Sequence, residues 1–313
     1  MARGIIIIEC GLTSGLGRVR RSLTLAAALR DQGLEIIVVL SSVEGQHLVE
    51  DLGFEASLQI PDDISKDLVI IDTCSDTAEE IGEICRAARY SLVIDDLAER
   101  PVVCDYLVNP NLYADGLDYS AYTIGHAFLG PDYTLVDKRF FAFAKPARER
   151  CGTVVSFGGT DGGTLAVPVL KELLQASDEP IWVPIPGYVE VDSALDAMAQ
   201  AENTIEIVRN ADMPALLGKS RAFIGAAGAT TLEALASGCA VSVVATQDDQ
   251  HINVAYLAAK GVPSASSFEP AAMVRGALAG GRKSKELISA QISIEAKAVG
   301  QIADLLSSRV LVT

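Results

Sequence analysis

Arg18, Arg20 and Arg21 crowd the start of a helical pattern in a chain of 313 residues that carries 41 acidic against 25 basic side chains. Positive charge at a helix N-terminus is disfavoured by roughly 0.3–1 kcal/mol per residue. Three arginines there read as holders of an anion, and Arg18 and Arg21, three residues apart, share one helical face. Long side chains that simply extend into water explain them equally. Glycine is gathered in the same way: nine of the 26 glycines fall in three short loops, each directly after an apolar run. The loops are Gly11-Leu12-Thr13-Ser14-Gly15-Leu16-Gly17-Arg18-Val19-Arg20-Arg21, Gly158-Gly159-Thr160-Asp161-Gly162-Gly163-Thr164, and Gly225-Ala226-Ala227-Gly228-Ala229-Thr230-Thr231-Leu232-Glu233. A glycine-rich turn opening a helix lets backbone N–H groups approach a phosphate, although tight strand-to-helix turns demand glycine as well. In the third loop Thr230 and Glu233 fit a capping box. They also fit a site in which Thr230 and Thr231 meet a pyrophosphate and Glu233 the ribose hydroxyls. Asp72, Asp95 and Asp96 end apolar runs, where a carboxylate serves as general base or caps the next helix. Asp249-Gln250-His251 follow the last long apolar run, and His126 precedes the Gly130-Pro131 turn.

The elements that must position these groups alternate strand with helix. Strands are predicted at 4–8, 35–40, 68–72, 92–95 and 106–108, then again at 153–157, 181–184, 205–208, 222–224 and 241–245. Helices are predicted at 19–32, 77–88, 169–176, 193–200, 231–237 and 253–260, with closing helices within 283–306. This order predicts α/β architecture with parallel sheets covered on both faces. The expected arrangement is two Rossmann-like doubly wound domains facing a cleft, with ligand at the strand C-termini. The domains are predicted at 1–143 and 151–313, joined by a linker at 144–150, with the last helices able to pack back on the first domain. A net charge of −16 and 5% aromatics argue against nucleic-acid binding. Glu233, glycines and hydroxyls interrupt the stretch 223–245, so no membrane span is expected. Six cysteines without a Cys-x-x-Cys pair, and three histidines without ligand spacing, point away from a metal site or other cofactor and towards a reducing cytoplasm. The expected partner is a small molecule; oligomeric state is left open.

Gly15-Leu16-Gly17-Arg18-Val19-Arg20-Arg21-Ser22-Leu23, Ile94-Asp95-Asp96-Leu97, Asn109-Pro110-Asn111-Leu112-Tyr113, Leu129-Gly130-Pro131-Asp132-Tyr133, Phe157-Gly158-Gly159-Thr160-Asp161 and the loop Gly225 to Glu233 occur in one order. This ordered set resembles the nucleotide-sugar hydrolases of pseudaminic acid synthesis, relatives of spore-coat polysaccharide proteins and of the lipid II-forming N-acetylglucosaminyltransferase. The resemblance runs from about residue 5 to residue 262. It implies a GT-B fold and cleavage of a UDP-linked 2,4-diacetamido-2,4,6-trideoxy-L-altrose to UDP and free sugar without a metal, in surface-glycan biosynthesis. It places Gly228, Ala229, Thr230 and Thr231 on the diphosphate, Glu233 on the ribose, Gly158, Gly159, Thr160 and Asp161 beside the nucleotide, and Asp249 and Gln250 on phosphate or sugar. Gly15, Gly17, Arg21, Asn111 and Tyr113 complete the implied substrate contacts. One departure matters: where the family has a histidine proposed to activate water, this chain has Arg18. An arginine stays protonated at neutral pH and cannot serve as general base, but it can neutralise charge on a departing diphosphate.

Arg18, Asp95 and Asp96 are therefore the expected catalytic set, with Asp161, His126 and His251 as further candidates for the base. A hydrolase is the first expectation. The alternatives are a GT-B glycosyltransferase using a UDP-sugar donor and a non-catalytic binder that has lost its base.

Overall fold

The structure is a computed structural model, and it describes residues 2–11, 17–279 and 297–311. Gly15 and most of the first glycine loop lie outside the described residues, as does the 283–296 part of the expected closing helices. The chain divides into two compact units, residues 1–136 with 295–313, and residues 137–294.

In the first unit, seven parallel strands lie in the order β3-β2-β1-β4-β5-β6-β7. They are β1 (Arg3–Ile8), β2 (Glu35–Leu40), β3 (Glu55–Ser57), β4 (Leu68–Asp72), β5 (Tyr90–Ile94), β6 (Val103–Asn109) and β7 (Thr123–Leu129). The isoleucine run of β1 works because both sheet faces are buried. Ile6 and Ile8 join one core with Val38 and Ile70, while Ile5 and Ile7 join the other with Val69 and Ile71. Each such side chain contributes about 1.5–3 kcal/mol when fully buried. The first core is covered by α1 (Gly17–Asp31) and by the C-terminal helix Ala298–Leu311, which inserts Ile302, Leu306 and Val310. The short helix α2 (Gln46–Asp51) follows β2, and α3 (Ala78–Ala87) follows β4. A capping box starts α3: Thr77 Oγ1 accepts the Glu80 N–H at 3.2 Å, and Glu80 Oε2 accepts the Thr77 N–H at 2.8 Å.

The second unit repeats the plan. Its strands are β8 (Cys151–Ser156), β9 (Ile181–Ile185), β10 (Ile205–Arg209), β11 (Ser220–Ala226), β12 (Ala240–Val244) and β13 (Ser264–Ala265). They form a parallel sheet in the order β10-β9-β8-β11-β12-β13. Its helices are α4 (Arg139–Ala142), α5 (Ala166–Ala176), α6 (Ser193–Ala201), α7 (Met213–Lys219), α8 (Ala229–Ala236) and α9 (His251–Ala259), with a further helix over residues 270–279. The boundary falls at Val136/Asp137, earlier than the sequence predicts, because residues 144–150 are bound into this unit. Lys145 N–H donates to Gly218 O at 3.0 Å, and the buried Arg150 donates through Nε to Lys145 O at 2.6 Å. Gly218 permits this approach, since a Cβ there would stand 2.3 Å from Phe143 O.

Three strands escape the sequence reading: β3, β7 and β13. Edge strands bury little, so they need no continuous apolar run. His126 and Ala127 of β7 are exposed.

Candidate functional site

In both sheets the strand order reverses direction at one point, between β1 and β4 and between β8 and β11. Ligands of doubly wound folds bind outside the carboxyl ends of the strands at such a switch point. The second and third glycine loops leave β8 and β11, so both open on the switch point of the second unit. Gly158 holds φ +119° with open space around it, a left-handed conformation that only glycine adopts freely. Gly158 and Thr160 are exposed and Gly159 is half-buried. Gly225 has a different role: a Cβ there would stand 1.9 Å from Ser156 O, so this glycine lets β11 pack against β8.

Helix α8 begins differently from the capping-box expectation. Gly228 is its N-cap, no side chain caps it, and Thr230 is the second helical residue. Glu233 therefore stands on the second turn, buried, where it cannot reach back to cap. The first N–H groups of an α-helix have no partner within the helix. At α8 the Thr231 N–H turns back to Gly228 O at 3.0 Å, and the buried Thr231 hydroxyl donates to Ala226 O at 3.0 Å. Thr231 thus locks its own loop, while Ala229 is exposed and Thr230 half-buried beside it. Two residues after β12 hold the loop from the other side. Asn253 Nδ2 donates to Ala227 O at 3.1 Å. Gln250 Oε1 accepts the Thr246 N–H at 2.9 Å and the Thr246 hydroxyl at 3.1 Å, and its Nε2 lies 3.5 Å from where a Cβ would stand on Gly228. Asp249, beside it, is exposed.

At the switch point of the first unit the polar groups bind one another. Asp72, fully buried at the end of β4, accepts Arg21 Nε at 2.9 Å, Arg21 Nη2 at 2.6 Å and the Ser22 hydroxyl at 2.7 Å. Asp96 accepts Arg21 Nη1 at 2.7 Å, Arg21 Nη2 at 3.0 Å and Asn111 Nδ2 at 2.7 Å. Arg21 thereby makes four bonds to two carboxylates with a five-donor guanidinium, and it is a positioning residue rather than a free anion grip. Burial works to raise the Asp96 pKa. The charge and hydrogen bonds of Arg21, with the Arg18 charge and the Asn111 bond, outweigh it and hold the carboxyl well below its usual range. That suppresses Asp96 as a general base.

Asp95 is buried too, and burial pushes its pKa up against the Tyr119 hydroxyl and the Ala98 N–H. Its Oδ2 accepts both, at 2.9 and 2.8 Å, and so ties down a turn in which Ala98 holds φ 58°. Asn109 Nδ2 extends the network to Tyr119 Oη at 2.9 Å and Asp96 O at 3.0 Å. Arg100 reaches Thr73 O at 2.7 Å and Asp76 O at 3.1 Å. Glu9, one residue past β1, accepts the N–H groups of Cys74 at 2.6 Å and Ser75 at 2.8 Å. Burial opposes its ionisation, but these bonds prevail and bring its pKa to about 2.

The other candidates have these surroundings. His126 is mid-strand in β7, across from Tyr106, with its ring 4.6 Å from that of Phe128. His251 is exposed at the start of α9. Burial pushes Asp161 up, while the N–H groups of Gly163, Leu165 and Thr164 bind its carboxylate, so it organises the turn into α5. Tyr113 is buried, and Gly17 is the first residue of α1. Ser22 and Asn109 stand in the quoted motifs without a role, and Tyr119 is a network member that the sequence alone does not single out. Among the described residues there is no cluster of His, Cys, Asp and Glu arranged to hold a metal, and no helix long and apolar enough to cross a membrane.

No protein-family model matches the chain. Over 270 residues it is 26% identical to the uncharacterized protein MJ1062 of Methanocaldococcus jannaschii, covering 76% of this chain and 54% of that protein, so it spans about half the length of that relative. Over 256 residues it is 24% identical to the UDP-2,4-diacetamido-2,4,6-trideoxy-beta-L-altropyranose hydrolase of Campylobacter jejuni, covering 79% of this chain and 93% of the hydrolase. Among solved structures it is similar to the glycotransferase of kitacinnamycin, with TM-score 0.65 and 13% identity over 98% of this chain and 99% of the other. Arabidopsis thaliana UGT89C1 complexed with UDP-L-rhamnose gives TM-score 0.64 and 10% identity over 99% of each chain. The Staphylococcus aureus MnaA–UDP structure gives 0.60 and 11% over 100% of this chain and 98% of that one. Two parallel α/β units, matched along their whole length by such structures, establish the GT-B fold.

Proposed function

We propose that the chain binds a UDP-sugar at the switch point of its second unit and transfers the glycosyl group to an acceptor. The observation that carries this reading is the uncapped start of α8 between the Gly158 loop and Gln250. There, unshared N–H groups and the positive end of a helix dipole suit a diphosphate. Gly228, Ala229 and Thr230 would meet the diphosphate with Gln250 Nε2, Gly158 to Thr160 would border the nucleotide, and Glu233 would bind the ribose hydroxyls. In the reaction an acceptor hydroxyl attacks the anomeric carbon, the bond from that carbon to the diphosphate oxygen breaks, and UDP leaves as the hydroxyl proton passes to a base. The amides at α8 stabilise the charge that accumulates on the departing diphosphate.

Hydrolysis is the second reading, with water as the acceptor and a 2,4-diacetamido-2,4,6-trideoxy sugar as the donor's glycosyl group. The match that spans 93% of the Campylobacter jejuni hydrolase favours it. The engaged carboxylates of the first unit bear on both readings alike, since either acceptor must lose a proton; the likeness to the glycotransferase of kitacinnamycin is what favours transfer. Incubation with UDP-sugars, following UDP release with and without sugar or lipid-linked acceptors, separates the two. Acceptor-dependent release supports transfer, and release in water alone supports hydrolysis. Absence of UDP binding by calorimetry rejects both.

A further inference from the structure

Among the described residues, the network of the first unit holds a guanidinium whose buried Nε no neighbour meets, and the geometry points to Arg18 as the side chain that takes a phosphate or carboxylate oxygen of a ligand at the switch point of this unit. The inference stands apart from the UDP-sugar reading of the second unit. The Arg18 side chain is 15% exposed. Its Nε is buried and has no hydrogen-bond partner among the described residues. Asp96 Oδ2 stands 4.0 Å from Arg18 Nη2, beyond hydrogen-bond reach. Asp96 in any case already accepts three bonds from Arg21 and Asn111.

The two neighbouring arginines show what the chain does elsewhere. Arg20 is exposed and solvated, and Arg21 makes four bonds to carboxylates. The Arg18 Nε has neither water nor a bond, and the residue sits in the first turn of α1, where no acidic residue of that turn offsets it and a cation is disfavoured. A buried donor left unmet in a folded protein calls for a cause, and a ligand is one that accounts for all of these features together. The planar fork of arginine selects carboxylate or phosphate oxygens and grips them with two parallel bonds. Asp96, itself held by Arg21, faces the Arg18 guanidinium at 4.0 Å without bonding it. The anion is either a diphosphate or a carboxylate.

The test titrates inorganic pyrophosphate, UDP, UDP-N-acetylglucosamine and UDP-glucuronic acid into the full-length protein and its Arg18→Ala and Arg18→Lys variants. Thermal melting first establishes that the variants are folded. If the diphosphate is the anion, Arg18→Ala weakens pyrophosphate and UDP about tenfold and flattens the salt dependence of binding, while Arg18→Lys recovers part of the loss. If a sugar carboxylate is the anion, UDP affinity is unchanged and the preference of the wild type for UDP-glucuronic acid disappears in Arg18→Ala. Identical binding of every probe by wild type and Arg18→Ala overturns the inference. Pyrophosphate bound through Arg18 without any UDP binding rejects the UDP-sugar reading and keeps the site. Binding of none of the probes by the wild type rejects both.

Discussion

At the carboxyl ends of β1 and β4, Glu9 already accepts the N–H groups of Cys74 and Ser75, and Arg21 already bridges Asp72 and Asp96. At the carboxyl ends of β8 and β11, by contrast, no side chain caps α8, and Gly158 turns through open space. The same strand order thus produces two crevices of opposite chemistry. The first, Arg18 Nε apart, supplies its own anions to its own donors, which fixes the loops after β4, β5 and β6. The second withholds them, leaving backbone donors whose best partner comes from outside. A network that is satisfied contributes stability and shape, whereas donors left open contribute binding. Removing Arg21 puts this contrast under the greatest strain. Arg21→Met leaves the carboxylates of Asp72 and Asp96 buried without their cation, and breaking such a pair costs about 3–5 kcal/mol. Urea unfolding measures it; a loss below about 1 kcal/mol would show that the first unit does not depend on its network.

Acid tests the same network from the side of Asp96. Its folded pKa is depressed below the unfolded value of about 3.9. Its contribution to stability is therefore complete above that pH and is lost as the pH falls towards the folded pKa. Asp95 has the opposite shift, raised by burial against its hydrogen bonds from Tyr119 and Ala98, so its protonation on acidification works in favour of the fold. Stability measured from pH 7 to pH 3 is expected to fall less steeply in Asp96→Asn, and more steeply in Asp95→Asn, than in the wild type. Equal slopes in all three would remove the electrostatic part of the comparison.

Much of the scaffold is legible in the residues themselves. The isoleucine run of β1 cannot face water on either side, so a parallel sheet covered on both faces follows from composition and length. The chemistry is less legible. Thr230 and Glu233 have capping-box spacing, yet α8 starts at Ala229, because the loop before it is held by Asn253 and closed by Thr231 on Ala226. Local spacing carries no information about Asn253, which is 26 residues from the carbonyl it binds. Ser22 and Tyr119 are invisible for the same reason, since their partners Asp72 and Asp95 lie 50 and 24 residues away. The sequence sets Arg18 and Arg21 on one helical face apart from Arg20, and the fold then separates the saturated Arg21 from Arg18 with its unmet Nε. The strand β7 went unread because its Gly125 and exposed His126 break the apolar alternation that marks a buried strand.

In the second crevice the contrast can be reversed with one hydroxyl. Gly228 has φ −102° and ψ −157°, open to any residue, and a Cβ there would meet only Gln250 Nε2 at 3.5 Å. Gly228→Ser therefore fits, and its hydroxyl can accept the free N–H groups at the start of α8. The gain in stability is a few tenths of a kcal/mol, because glycine is already a tolerable N-cap. UDP affinity is expected to fall about tenfold, near 1.4 kcal/mol, as the serine occupies donors meant for phosphate. Calorimetry and melting on the same samples read both. A more stable variant with undiminished UDP affinity would place the diphosphate elsewhere.

The smallest effect belongs to Glu9, the chain's own anion in the first crevice. Glu9→Gln keeps an acceptor oxygen for one of the N–H groups of Cys74 and Ser75 and removes the charge that holds both. The side chain is half-buried and well screened, so the loss is about 0.5 kcal/mol or less at pH 7. Its pH dependence identifies the cause. The Glu9 pKa is lowered from 4.5 to about 2, so the carboxylate stabilises the fold fully above pH 4.5 and loses that advantage as the pH falls towards 2. The gap between wild type and Glu9→Gln should accordingly narrow between about pH 4.5 and pH 3, while UDP affinity at neutral pH stays the same. A constant gap across that range would mean that shape, not charge, holds the loop after β4. A change in UDP affinity would mean that Glu9 does more than hold the loop after β4.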